Sequence, residues 1–219
     1  MTVLEELLDL VLPTLCCGCK RLGAILCTEC RAALVGSPRV VSRAAQVGWV
    51  FCAFDEQVAR ILNAFKEDGQ TRVAVTLAAK MTPLLANFPS SEPGERGLVL
   101  VSVPSRPSSF VKRGFVPAQV LAKEIGKQSA LRSLSALKFI RQVEDQAGLG
   151  ASKRKLNLVE SMSAKFSLRG YRVIIIDDIV TTGATIVEAG RALEAAGAQV
   201  IGFLAFAETI LKTPTQNDF

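Results

Sequence analysis

The chain has 219 residues, 49% of them apolar and 21% charged, and a formal net charge of +6. That composition excludes a disordered polyelectrolyte and is ample for one α/β domain with a small appendage. The absence of histidine excludes Ser-His-Asp and Cys-His machinery, HExxH zinc hydrolases and any metal site that needs imidazole. Chemistry here must run on carboxylates, hydroxyls, backbone amides, Lys, Arg and thiolates. The positive excess fits either ordinary surface charge or attraction to a polyanion, a phosphorylated metabolite or a nucleic acid.

Residues 2–12 predict a short amphipathic helix, with Leu4, Leu7, Leu8 and Val11 at helical spacing and Pro13 as its stop. Glu5, Glu6 and Asp9 interrupt its apolar residues, so it does not read as a signal peptide. The best candidate for a membrane span, 200–207, is far short of the ~20 residues that cross a bilayer and reads better as a buried strand. A cytoplasmic protein without membrane insertion is expected.

Cys16, Cys19, Cys27 and Cys30 form two CxxC pairs separated by seven residues. Each pair can present two thiolates to one tetrahedral Zn²⁺, leaving no open coordination position, so the metal would be structural. Cys17 competes with Cys16 as first ligand, and a set of reduced cysteines or a redox pair is the competing reading. A loop-like stretch then runs to about residue 48, which divides an amino-terminal helix and zinc knuckle (1–48) from the main domain (49–219).

Residues 49–54 predict a strand, with Cys52 as a core residue. Asp55 can cap a helix striped by Val58, Ile61, Leu62 and Phe65. Residues 71–85 predict more helix, and 88–97 a loop. The apolar run 98–103 reads as a buried parallel strand. A polar, basic loop follows over 105–114, then a helix opening at Pro117 and a further strand near 137–140. Residues 142–157 are polar and basic without a period and predict a long mobile loop of the functional kind. Strand 171–176, helix 184–196 and strand 199–206 make a βαβ unit, hence a parallel sheet with helices on both faces.

The segment from Arg172 to Thr185 carries the chemistry. A strand delivers Asp177 and Asp178 to its carboxyl end, where open α/β sheets bind ligands. Thr181, Thr182, Gly183, Ala184 and Thr185 form a turn of small residues whose amides and hydroxyls can surround a phosphate at a helix N-terminus. Two carboxylates beside a phosphate need another partner, and sugar hydroxyls or Mg²⁺ supply it. The residues therefore point to a sugar phosphate. No GxxxxGK[ST] or GxGxxG loop is present to support a nucleoside triphosphate or dinucleotide.

This string resembles the phosphoribosyl pyrophosphate (PRPP) signature of type I phosphoribosyltransferases. The resemblance implies that Asp177 and Asp178 hold the ribose hydroxyls and that residues 181–185 hold the 5′-phosphate. Joined to an amino-terminal double CxxC, it resembles the ComF family of competence-protein relatives. Val103-Pro104 leading to Arg113-Gly114-Phe115 resembles that family's pyrophosphate-side loop. Arg141, Gln146, Leu149, Arg154 and Asn157 match its mobile segment. Phe65-Lys66 and Gly69 resemble its Lys-aromatic-Gly stretch with the order altered. Val116-Pro117 replaces the family's usual Asn-Gln, and Ser105-Arg106 stands where a His is often found, so the acceptor's identity is not carried over.

The resemblance implies an α/β, type I phosphoribosyltransferase-like fold with a small four-cysteine zinc module. It further implies a Mg²⁺-dependent transfer of phosphoribose to an unidentified acceptor. Arg106 or Arg113 would stabilise the leaving pyrophosphate, and Arg154 or Lys153 would close over the site. The alternative is an accessory factor in DNA uptake or processing, with single-stranded DNA or a helicase-like protein as partner.

Overall fold

A computed structural model of the chain describes residues 14–43, 46–89, 96–141 and 158–209. The helix expected at 2–12 and the loop expected at 142–157 lie outside these residues.

The order of elements is α1 (Thr28–Ala33), β1 (Arg39–Arg43), β2 (Gln46–Ala53), α2 (Glu56–Lys66), α3 (Ala74–Met81), β3 (Leu98–Ser102), α4 (Pro107–Arg113), α5 (Pro117–Ser129), β4 (Arg132–Leu134), β5 (Leu137–Phe139), β6 (Met162–Ala164), β7 (Arg172–Val180), α6 (Ala184–Ala195) and β8 (Gln199–Glu208). Short 3₁₀ segments flank α3 at Thr71–Val73 and Thr82–Asn87. A six-stranded sheet has the order β1-β2-β8-β7-β3-β4, and β5 and β6 pair separately. Only the β1–β2 hairpin of the large sheet is antiparallel.

Local signals explain the main elements. The Asp55 carboxylate accepts from the Val58 N–H at 2.8 Å and starts α2, whose apolar stripe is wholly buried. Eight of the nine residues of β7 are buried, which only a strand covered on both faces requires. On one face, Phe65 of α2, Leu77 of α3 and Leu121 and Ile125 of α5 pack against Leu100, Ile174, Ile176 and Leu204. On the other, Ile186, Ala189 and Leu193 of α6 pack against Val101, Val173, Ile175 and Ala205. Each large side chain buried this way stabilises the fold by roughly 1.5–3 kcal/mol.

The structure departs from the sequence-based expectations in four places. The stretch read as loop up to residue 48 contains β1 and the start of β2, so the division expected at 48 falls inside a sheet strand. The cysteine-rich segment shares the main core, with Cys16, Cys17, Leu26 and Leu34 in one cluster with Ile61 and Phe65. The basic loop after Pro104 contains a two-turn helix, α4, closed by Gly114 at φ 74°. Finally, β7 does not stop at Ile176 but runs on through the two aspartates to Val180.

Candidate active site

The extension of β7 creates the site. β3 pairs with β7 only as far as Ser102 opposite Ile176, and its chain then turns away through residues 103–106. β7 continues against β8 alone, pairing Asp177 with Ala205 and Val180 with Glu208. Among the described residues, no second strand pairs with β7 at the acidic pair, so one edge of the strand is left open there. The connection from β3 leads through α4 and α5 to β4 on one side, and that from β7 leads through α6 to β8 on the other. The crevice between two strands whose connections diverge is where open α/β sheets bind ligands.

A cleft of about 280 Å³ occupies this place. Its lining includes Lys66, Ser105, Arg106, Ser109, Arg113, Asp177, Asp178 and Thr185. The predicted Arg106, Arg113, Asp177, Asp178 and Thr185 are thus brought together from separate parts of the chain. Arg154, with Gln146, Leu149, Lys153 and Asn157, lies outside the described residues.

Strand alternation separates the two aspartates. Val173 and Ile175 face α6, so Asp177 follows them, while Ile174 and Ile176 face α2 and α5, and Asp178 follows those. Lys66, from the end of α2, accordingly meets Asp178 with Nζ 2.8 Å from Oδ1. Asp177 Oδ1 accepts the Asp178 backbone N–H at 2.8 Å. Burial and the neighbouring Asp178 push the Asp177 carboxyl well above the usual carboxylate range, against the pull of Lys66. One ammonium serves two buried acids, so the pair has bonding capacity to spare.

The turn Thr181–Gly183 enters α6 with Gly183 at φ 79° as its N-cap, and the Ala184 N–H lies 3.4 Å from Thr182 Oγ1. A side chain at Gly183 is barred twice, by its left-handed backbone and by the Arg43 stem, 2.3 Å from where a Cβ would sit. Arg43 reaches over from β1, donating from Nε to the Thr181 carbonyl at 3.0 Å and from Nη2 to Glu208 at 2.6 Å. Arg39 holds the other oxygen of the same glutamate. The small-residue turn is therefore clamped from the far edge of the sheet.

On the opposite wall, Arg113 is paired with Glu67, which also accepts from Lys112 at 2.8 Å. Lys112 and then Arg113 hold the Glu67 carboxyl below its usual range. For Lys66 the sequence carries a signal beyond the resemblance. It continues the buried stripe one turn beyond Leu62, where a charge demands an acid. For Arg43, Glu208 and Glu67 there is none, since their partners are remote in sequence.

The cysteine cluster is separate. The sulfurs of Cys16, Cys19, Cys27 and Cys30 all lie within 4.8 Å of one another. A tetrahedral zinc with bonds of ~2.3 Å separates its sulfurs by about 3.8 Å, and Cys19 and Cys27 stand 3.7 Å apart. Burial pushes the Cys16 thiol up, but N–H groups of Cys27, Cys19 and Gly18 more than offset it and leave it at about 6. Cys17, equally buried, is not among the four close sulfurs, and burial and Cys16 push it up to about 11. Four close sulfurs, one already favouring thiolate, suit zinc, and Cys16 is the first of them. The knuckle is fastened to α2 by Arg60 Nε on the Gly18 carbonyl (3.1 Å) and Gln57 Nε2 on the Cys30 carbonyl (3.1 Å).

Sheet, crevice and acidic strand end define an α/β domain with an open site at its strand ends, and residues 111–215, just under half of the chain, match the family described as phosphoribosyl transferase domain. The curated proteins the chain resembles carry competence and DNA-utilization names. It is 24% identical over 150 residues to "Competence protein F" of Haemophilus influenzae, covering 67% of this chain and 66% of that protein. It is 29% identical over 103 residues to "DNA utilization protein YhgH" of Escherichia coli, covering 47% and 45%. The chain thus spans about half to two thirds of the curated relatives it matches. An adenine phosphoribosyltransferase structure from Thermoanaerobacter pseudethanolicus overlaps 78% of this chain and 83% of its own, at 14% identity and a TM-score of 0.38. No helix among the described residues is long and apolar enough to cross a membrane.

Proposed function

We propose that the cleft binds PRPP with Mg²⁺ and transfers its phosphoribosyl group to a nucleophilic acceptor. The observation that carries this reading is the acidic pair at the open end of β7, adjoining a clamped small-residue turn at a helix N-terminus. Asp177 and Asp178 accept the ribose hydroxyls from opposite sides of the strand. Thr181, Thr182 and Thr185, with the first amides of α6, receive the 5′-phosphate. The reaction breaks the bond from C1′ to pyrophosphate, which leaves with the electron pair, while the acceptor forms the new bond and loses its proton. Arg106 and Arg113, on the wall across from the acids, stabilise the charge gathered by the leaving group. The carboxylate oxygens of the acid pair are hard donors suited to Mg²⁺, which when bound neutralises the pyrophosphate further. The four-cysteine cluster holds a structural zinc that fixes the knuckle against α2, and the protein works in the cytoplasm.

Calorimetry with PRPP and Mg²⁺, on wild type and on Asp177→Asn/Asp178→Asn, tests the assignment. Saturable binding lost in the double variant is expected. No binding by a folded, zinc-replete wild type would discard it. Elemental analysis should find one zinc per chain, and a folded chain without zinc would remove the metal from this reading.

The names of the two relatives support a second reading, an accessory factor in DNA uptake or processing that binds single-stranded DNA or a helicase-like partner. Retention on single-stranded DNA with a steep loss on adding salt would favour it.

A further inference from the structure

The end of α2 presents two adjacent charges of opposite sign, and each reaches a different wall of the cleft. Lys66 pairs with Asp178 on the β7 side. Glu67 pairs with Lys112 and Arg113 on the α4 side. Lys66 therefore stands on the seam between the proposed sugar wall and the proposed pyrophosphate wall.

Lys66 is an expensive residue at this position. Its side chain is only 19% exposed and its partner's 10%, so both give up much of their hydration. It also prolongs the apolar stripe of α2, where leucine or methionine would pack without that cost. Packing gives no reason for the charge.

The two ion pairs differ in what a ligand would do to them. Glu67 balances two cations, and the hydroxyls of the sugar, on the other wall, do not compete with them for that carboxylate. Asp178 is different, because ribose hydroxyls donate to the very carboxylate that Lys66 now holds. A carboxylate has room for several donors, and an ammonium carries three of its own. As the hydroxyls engage Asp178, Lys66 becomes available to a second anion without leaving its place.

We infer that Lys66 is a specificity-determining residue of the cleft that recognises the diphosphate on C1 of a phosphorylated sugar, its contact with Asp178 being the resting arrangement. The inference rests on the PRPP reading and adds the residue that distinguishes PRPP from a sugar phosphate lacking the diphosphate. It also explains why a lysine lies at the buried end of α2, on the helix the zinc knuckle braces through Arg60 and Gln57.

The test compares two ligands with identical hydroxyls and 5′-phosphate. PRPP and ribose 5-phosphate are titrated by calorimetry with Mg²⁺ into wild type, Lys66→Met and Lys66→Arg. Methionine keeps the apolar stem, and thermal melts establish that each variant is folded. Lys66→Met should weaken PRPP by about tenfold or more while ribose 5-phosphate changes by less than about twofold, with Lys66→Arg recovering most of the loss. Inorganic pyrophosphate alone should follow PRPP. Equal weakening of both sugar ligands would make Lys66 a counter-ion that only positions Asp178 and would overturn the inference, as would no change in either. A folded wild type that binds neither ligand refutes the PRPP reading itself, and the role of Lys66 falls with it. If Lys66→Met does not fold, Lys66→Gln carries the same comparison.

Discussion

Glu188, midway along α6, and the Asp177–Asp178 pair at the end of β7 are buried to a similar degree, 4% exposed against 8% and 7%. Their surroundings are opposite. Glu188 accepts the backbone N–H groups of Glu160 (3.1 Å) and Met162 (2.9 Å) and both arms of Arg191 (2.9 and 2.7 Å). Burial pushes its carboxyl up, but Arg191 and those amides outweigh burial and hold it below the usual glutamate range. Among the described residues the aspartates have one lysine and one main-chain N–H between them, and burial drives Asp177 the other way. A buried acid whose bonds are all met inside the protein ties the β5–β6 sheet to α6 and is structural. A buried pair left short of partners at an open strand end is poised for a ligand.

The largest effect should come from removing the satisfied acid. Glu188→Ala leaves two N–H groups without their acceptor and Arg191 without its partner, costing about 2–3 kcal/mol once the half-exposed arginine is discounted. Urea melts should show that loss, with ligand affinity little changed. Because the Glu188 pKa is lowered on folding, its stabilisation is present above the usual glutamate range and vanishes as pH falls through the lowered value. Glu188→Gln should lose that part of the acid sensitivity, and an unchanged acid limb would mean that Glu188 is not a structural anchor.

Arg43→Ala, which unclamps the Thr181 carbonyl but leaves Arg39 on Glu208, should weaken PRPP by about tenfold with a melting shift below about 3 °C. Unaltered affinity would show that the small-residue turn holds itself.

A modest rise in stability should set the two kinds of buried acid apart. In metal-free buffer, Asp177→Asn should raise the melting temperature by about 2–4 °C, since it removes a charge that folding disfavours. The folded state keeps the Asp177 proton to higher pH than the unfolded chain does, so wild-type stability falls as pH rises above the ordinary aspartate range. The gain from Asp177→Asn should then be greater at about pH 8 than at about pH 5. A variant less stable than wild type at both values would make Asp177 a structural residue like Glu188.

Much of the fold is legible in the sequence because its signals are local. The apolar run of β7, the Asp55 cap and the stripe of α2, and the Pro117 start of α5 each lie within a short stretch of chain. α4 reads as loop because none of its residues is buried, so it has no apolar stripe. β4 and β6 are three residues each and form only because a neighbouring strand offers hydrogen bonds. The extension of β7 past Ile176 escapes sequence reading because aspartates are poor strand formers, and only pairing with β8 carries them.

The sequence alone determined the βαβ unit, the cysteine spacing and the acidic, small-residue string from Asp177 to Thr185, since consecutive residues on one strand and turn need no distant partner to be placed. Which cysteine of the adjacent pair joins the cluster, which wall each aspartate faces and which cations serve the cleft were decided by tertiary structure. Arg43 lies 138 residues from Thr181 and 165 from Glu208 in the chain, yet both are within hydrogen-bond distance of it. Partners so far apart become neighbours only when the sheet assembles.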